Sequence, residues 1–382
     1  MPDDIYQQSL NLHKTHHGKL ETKSKIPLNS AEALSLAYTP GVAEVSRAIG
    51  KDPSLAREYT LKRNTIAIVS DGSSILGLGN LGALAAIPVM EGKAAIFKEF
   101  AGVDAFPICL DTQDTESIIT AVKQLAPVFG GINLEDISAP RCFAIESRLR
   151  NELAIPVMHD DQWGAATVIL AGLINALTLS SDTKENVRVV INGIGAAGVA
   201  TARLLLAYGI KNILLCDSKG IIHRTRSNLT PEKLELLTMS TAHAHEGTLA
   251  DAVRGSHVFI GLSRGGLLTQ DMVRTMTEKP IVFALANPTP EIMPDDARAA
   301  GAYIVATGRS DFPNQLNNSL VFPGVFKGML DGNIPQFKTE MFIDVAEAIA
   351  KHVSDVTPEH IIPSMFDKDI APLVAQTIQK FA

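Results

Sequence analysis

The chain alternates short β-branched or aliphatic runs with longer stretches of helical periodicity, most clearly in its second half. Residues 187–192 form an apolar run of strand length. The turn Gly193-Ile194-Gly195-Ala196-Ala197-Gly198 follows, residues 199–208 carry apolar side chains at helical spacing, and residues 212–217 form a second apolar run ending in Asp217. Further short runs at 257–262, 280–286 and 302–306 are separated by helical stretches. Buried strands alternating with helices predict a parallel sheet covered on both faces and wound by right-handed crossovers. In the first half the pattern predicts a helix over 31–36, strands over 65–69 and 94–97, and a helix over 115–128. Residues 165–177 are almost continuously apolar, but they fall short of the roughly 18–20 residues a membrane span needs and include Asn175. They read as a buried helix. The expected fold class is α/β: an N-terminal mixed α/β domain over 1–160 and a doubly wound, Rossmann-type dinucleotide-binding domain over 161–382.

Composition narrows the partners. With 46% hydrophobic and 20% charged residues over 382 positions, the chain has the make-up of a globular protein and not of a disordered one. The net charge of −7 and the absence of a long basic run give no support to a nucleic-acid role. The densest basic stretch, 13–25, is interrupted by Glu21 and reads as a solvated segment. Cys109, Cys142 and Cys216 are too widely spaced for a disulfide framework or a zinc knuckle. The polar first eleven residues lack the apolar stretch of a signal peptide, so a cytoplasmic protein (or one of an organelle matrix) with no membrane partner is expected.

The glycine turn carries the first specific chemistry. A strand precedes it, a helix follows, and Asp217 ends the next strand, which is the context of a dinucleotide fingerprint. Gly193 allows the tight turn, Gly195 lets the backbone approach a pyrophosphate, and Gly198 allows close helix–strand packing. The helix N-terminus then offers free N–H groups to the phosphates. Asp217 favours NAD by accepting hydrogen bonds from the adenosine ribose, whereas Lys219 offers a partner for the extra phosphate of NADP. Both cofactors stay open.

Two acidic pairs, Glu135-Asp136 and Asp160-Asp161, each follow an apolar run. Either pair alone serves as well for a helix cap or a surface pair. Three carboxylates converging would suit a hard cation such as Mg2+ or Mn2+.

With these in place the sequence resembles the malic enzyme family in its compact bacterial form. The resemblance rests on Leu36-Ala37-Tyr38-Thr39-Pro40-Gly41-Val42, Ser70-Asp71-Gly72, Ile75-Leu76-Gly77-Leu78-Gly79-Asn80-Leu81-Gly82, Glu91-Gly92-Lys93, both acidic pairs, Ala286-Asn287-Pro288 and Asn314-Gln315-Leu316-Asn317-Asn318, in that order along the chain. It implies Tyr38 as general acid, Lys93 as general base and Asp160 as a carboxylate beside that lysine. It also implies Glu135, Asp136 and Asp161 as metal ligands, and Asn287 and Asn318 near substrate and nicotinamide. Tyr38 could instead pack before a proline turn, Lys93 could be a surface lysine, and Lys98 is a rival base. Larger family members carry an arginine where this chain has Ser74, so the anchor of the second substrate carboxylate stays unassigned. The implied activity is oxidative decarboxylation of malate to pyruvate and CO2 by a homodimer, with Lys93 needing a depressed pKa to act near neutral pH. The rival readings are an oxaloacetate decarboxylase of the same fold, a malolactic-type activity, and a non-catalytic dinucleotide-binding sensor.

Overall fold

The structure is a computed structural model that describes residues 3–227, 229–240 and 246–382. It contains two separate sheets, as the alternation of runs predicts. The first is built from β1 (Thr65–Ser70), β2 (Asp104–Cys109), β3 (Gly131–Leu134) and β4 (Val157–His159), all parallel in the order β2-β1-β3-β4. β1 and β3 are buried along their whole length, which accounts for their unbroken apolar runs. β2 was not visible in the pattern. It contains Pro107, and a proline is tolerated there because β2 is an edge strand paired only to β1.

One expected strand is a helix. Residues 94–97 lie inside the helix Ala83–Ala101, where Ala86, Met90, Ala94 and Phe97 recur every three to four residues and are all buried. A four-residue apolar window cannot separate a strand from one turn of a buried helix, and here the longer repeat decides.

The second sheet contains β5 (Val189–Asn192), β6 (Ile213–Asp217), β7 (Gly220–Ile221), β8 (Val258–Gly261), β9 (Ile281–Ala284) and β10 (Ile304–Thr307), in the order β10-β9-β8-β5-β6-β7. Every pair is parallel except β6–β7. The order reverses at β5, so the crevice beyond its carboxyl end is where an open α/β sheet takes a ligand.

The helix Asp160–Ser180 begins directly after β4 and packs on the helices Ala196–Tyr208 and Thr339–His352. By length and composition it could cross a membrane, yet most of it is buried inside the protein. Its one interior amide, Asn175, is satisfied by the carbonyls of Ala350 and Ile361 at 2.9 and 3.0 Å. The C-terminal helices Phe322–Asp331 and Ile370–Gln379 return to pack against Ala83–Ala101. Phe97 meets Phe322 and Phe326 there, with ring centroids 4.7 and 5.6 Å away, and truncating such a ring typically costs about 3–5 kcal/mol. The helices Ala31–Ala37, Val42–Lys51 and Leu55–Tyr59, in contrast, contain no buried residue.

Candidate active site

The register of the first sheet assembles an acidic cluster. β3 lies between β1 and β4, so the residues leaving the carboxyl ends of β3 and β4 are neighbours: Glu135 and Asp136 from one, Asp160 and Asp161 from the other. The helix Ala83–Ala101 brings Lys93 onto them. Its Nζ donates to Glu135 Oε1 and to Asp160 Oδ2, each at 2.5 Å, and lies 4.3 Å from the centroid of Phe322. Lys93 is 7% exposed and Asp160 is fully buried. Asn318, far along the chain, donates its amide to the same Asp160 Oδ2 at 2.6 Å. Sequence positions 93, 135, 160 and 318 therefore meet in one place.

Charge in this cluster is out of balance. Burial pushes the Asp136 carboxyl up to about 7, helped by the charge of Asp161. Burial also raises Glu135 and Asp160 against the pull of Lys93. Asp161 goes the other way: burial would raise it, but the hydrogen bond and charge of His159, the charge of Lys93 and the Asp136 N–H hold it low. The expectation for Lys93 is reversed by its neighbours. Burial lowers its pKa, but the charges of Asp160, Glu135 and Asp161 outweigh burial and raise it. The sequence could not reveal this, because it depends on which carboxylates surround the amine.

Among the described residues no three donors form a ready-made cage for a cation. The carboxylates are drawn around the Lys93 ammonium instead. Asp136 Oδ2 and Asp160 Oδ1 are buried with no hydrogen-bond partner, a costly state for carboxylate oxygens. A hard, oxygen-seeking divalent cation fits this donor set, since it would satisfy such atoms and offset the repulsion among neighbouring carboxylates.

A brace beneath the cluster was not legible in the sequence. Asp136 adopts φ +53°, its N–H donates to Asp161 Oδ2 at 2.8 Å, and its carbonyl accepts from Ser74 N at 3.0 Å. Ser74 thus contributes its backbone to the acidic turn. Arg141 lies 2.9 Å from Asp71 Oδ2 and donates to Ser73 Oγ and Ser138 Oγ at 3.0 and 3.1 Å, fixing the 71–74 loop to the 135–138 turn. Below β4, buried Glu146 accepts from His159 N, Gln162 Nε2 and Trp163 Nε1 at 3.1, 3.0 and 3.2 Å. His159 Nε2 is in turn 3.2 Å from Asp161 Oδ2. The one available signal was position, because His159 directly precedes the second acidic pair.

The glycine turn has the geometry its spacing predicts. Gly193 adopts φ +107°, and a Cβ there would lie 2.5 Å from the carbonyl oxygen of Leu262. A Cβ on Gly198 would lie 1.9 Å from Gly193 O, so helix and strand touch at that point. A Cβ on Gly195 would meet nothing within 4 Å. Open space thus faces the start of the helix Ala196–Tyr208, whose N-cap Gly195 makes no side-chain capping bond. Ile194, Ala196 and Ala197 complete this turn. A dinucleotide pyrophosphate fits such a cradle.

Asp217 ends β6 as expected, but it already has partners. Arg226 grips both carboxylate oxygens at 3.0 and 2.9 Å, Lys233 Nζ adds a contact at 2.9 Å, and the Lys219 N–H donates at 3.0 Å. Burial opposes ionisation, yet Arg226 and Lys233 hold the carboxyl down at about 2. Two cations unmarked in the sequence therefore sit at the expected ribose position, and the Lys219 contact seen there is through its backbone.

The remaining candidates separate. Asn287 is exposed, and its carbonyl sits so close to Gly77 that a Cβ there would be 2.4 Å from the oxygen, linking the glycine-rich 75–82 loop to the loop after β9. Lys98 is 62% exposed in its side chain and paired with Asp104 at 2.6 Å, outside the cluster. Tyr38 is 67% exposed, and its hydroxyl has no hydrogen bond among the described residues.

Comparison with known proteins agrees with this geometry over nearly the whole chain. Residues 17–150 match the family model of the malic enzyme N-terminal domain, and residues 163–382 match that of the malic enzyme NAD binding domain. The chain is 52% identical over 381 residues to a bifunctional malic/malolactic enzyme of Bacillus subtilis, covering 99% of this chain and 93% of that one. It is 52% identical to an NAD-dependent malic enzyme of Geobacillus stearothermophilus, covering 96% and 77%. The crystal structure of an NAD-dependent malic enzyme from Thermotoga maritima superposes with a TM-score of 0.94 at 48% identity, covering 97% of this chain and 98% of that one. A buried lysine among carboxylates, a glycine cradle at the switch of a second sheet, and family matches spanning both place this chain in the malic enzyme family.

Proposed function

We propose that the protein is a cytoplasmic, homodimeric malic enzyme that oxidatively decarboxylates malate to pyruvate and CO2 with reduction of NAD or NADP. The observation that carries this reading is the clamp of Lys93 between Glu135 and Asp160. A non-catalytic dinucleotide sensor has no use for such a cluster. Glu135, Asp136 and Asp161 would hold the divalent cation, and the loop from Gly193 to Gly198 the dinucleotide. When bound, these two groups supply Lewis acidity toward the substrate hydroxyl and a hydride acceptor.

The chain's own residues then move protons. Lys93 takes the proton of the C2 hydroxyl, for which it must first be neutral. The charges of Asp160, Glu135 and Asp161 oppose this by favouring the ammonium. Were Glu135 and Asp161 to hold a divalent cation, their pull on the ammonium would weaken, which would link the base strength of Lys93 to that site. Asp160, tethered by Asn318, stays beside the amine to orient it. Tyr38 protonates C3 after CO2 leaves. Asn287 and Asn318 line the substrate and nicotinamide side.

The test follows cofactor reduction with malate and Mn2+, using NAD and NADP separately, and measures CO2 release from oxaloacetate in parallel. Reduction coupled to pyruvate formation is expected. Oxaloacetate decarboxylation without any malate oxidation would overturn the reading, as would lactate as the sole product.

A further inference from the structure

We infer that Glu291 is a fixed negative charge under the nicotinamide half of the cofactor crevice, where it favours the oxidised, positively charged dinucleotide over the reduced one. The inference rests on the reading of the second sheet as the dinucleotide site. Glu291 lies on the loop after β9 and is fully buried. Its carboxyl group rests on the backbone at the carboxyl end of β8, where a Cβ on Gly261 would come within 2.3 Å of Glu291 Cδ. One oxygen accepts the N–H of Ser263, just past β8, and the other that of Ala286, just past β9, each at 3.0 Å. Ser263 Oγ in turn accepts from Asn192 Nδ2 at 3.0 Å, and a Cβ on Gly193 would lie 2.9 Å from the Ser263 Cβ. Through Ser263 the carboxylate therefore reaches the glycine turn, and it ties together the ends of β5, β8 and β9.

Both oxygens accept backbone N–H groups, which are the surroundings of an anion. Burial raises the Glu291 pKa, and these two bonds act against the rise. Among the described residues no ion pair neutralises this carboxylate. The guanidinium that reaches its loop, Arg309, donates to Pro288 O at 3.2 Å and is itself paired with Asp311 at 2.6 Å. Burying a charge without a counter-ion is costly, and the cost is offset if a cation arrives with the ligand. The dinucleotide brings one. Asp217 marks the adenosine half over β6, so the other half of the crevice, over β8 and β9, faces the nicotinamide. The oxidised ring is a pyridinium carrying one positive charge, and addition of a hydride leaves it neutral. The field of a buried charge is weakly screened and acts without contact. Glu291 therefore draws in the oxidised cofactor and releases the reduced one, the direction that malate oxidation requires.

The ratio of two affinities tests this. Binding of NAD+ and NADH, and of NADP+ and NADPH, is measured by isothermal titration calorimetry on the wild-type protein, Glu291→Gln and Glu291→Asp. Glu291→Gln removes the charge. It should weaken the oxidised form relative to the reduced form by about fivefold or more, in whichever pair the protein binds. Glu291→Asp keeps the charge but shortens the reach to both N–H groups. It should weaken both forms together and leave their ratio within about twofold of wild type. An unchanged ratio in Glu291→Gln overturns the inference. So does a ratio that shifts equally in both variants, which would make Glu291 a loop brace whose charge plays no part. Each ratio is read within one variant, so a general loss of affinity cancels, and Glu291→Met replaces Glu291→Gln should the latter not fold. A wild-type protein that binds none of the four dinucleotides would overturn the reading of the site itself, and the inference with it, which is a distinguishable failure.

Discussion

Gly195 and Gly198 stand three residues apart in one turn, and the structure separates their duties. At Gly198 an added methyl would sit 1.9 Å from Gly193 O, against backbone that cannot step aside. Overpacking of this kind costs about 1–3 kcal/mol or more, which for a protein of this size lowers Tm by roughly 1–4 °C or more. At Gly195 the backbone is extended, with φ −93° and ψ −153°, and nothing lies within 4 Å of the added methyl. Alanine caps a helix less well than glycine, by about 0.5–1 kcal/mol, but it also restricts the unfolded chain, by about 0.4–1 kcal/mol. The two effects offset, so Gly195→Ala should melt within about a degree of wild type. Its methyl, however, occupies the space through which the backbone approaches the pyrophosphate. Losing one charge-assisted hydrogen bond costs about 1.5–3 kcal/mol, a weakening of about tenfold or more. Differential scanning fluorimetry and NADH fluorescence titration on both variants read the two quantities independently. An unchanged NADH affinity in Gly195→Ala would refute the cradle, and an unchanged Tm in Gly198→Ala would refute the packing argument.

Three further outcomes follow from the same geometry. Asp217 has a folded pKa depressed from 3.8 to about 2, so its ion pairs stabilise above pH 4 and that stability is lost as pH falls toward 2. Asp217→Asn should therefore cost roughly 2 kcal/mol at pH 7, about half of that near pH 3 and little near pH 2 in urea melts, and an equal loss at pH 7 and pH 2 would contradict the assignment. Glu135→Gln and Asp161→Asn keep side-chain shape but remove a ligand charge. Each should raise the Mn2+ dissociation constant, measured by electron paramagnetic resonance, by about tenfold or more while leaving NADH affinity unchanged, and a normal Mn2+ constant removes that residue from the ligand set. Lys93→Ala should cut malate oxidation by about 10²–10⁴-fold, whereas Lys98→Ala should leave it within about twofold because Lys98 is bound to Asp104 at the surface; the opposite ranking would exchange their roles.

The sequence by itself determined the elements whose signal is local. The strand before Gly193, the turn and the helix after it follow from hydrophobic period and glycine spacing, so β5 and the cradle were legible residue by residue. The second sheet was legible for the same reason, since strands buried on both faces read as unbroken apolar runs. The acidic pairs were visible as chemistry, and the shared order of motifs identified the family. What only the tertiary structure decided depends on contacts between distant positions. Parallel register puts Glu135 beside Asp160, and a helix returning across the sheet inserts Lys93 between them. No spacing in the chain encodes that meeting, nor the raised pKa it gives the lysine. Arg226 and Lys233 reach Asp217 from 9 and 16 residues away, and Arg141 reaches Asp71 from an adjacent crossover. In one dimension each is an ordinary surface cation. Residues 94–97 went to helix because burial repeats along all of Ala83–Ala101, a longer pattern than the four-residue window that suggested a strand. A side chain's partners are fixed by the fold that delivers them, and charge, unlike hydrophobic period, carries no record in the sequence of what it will face.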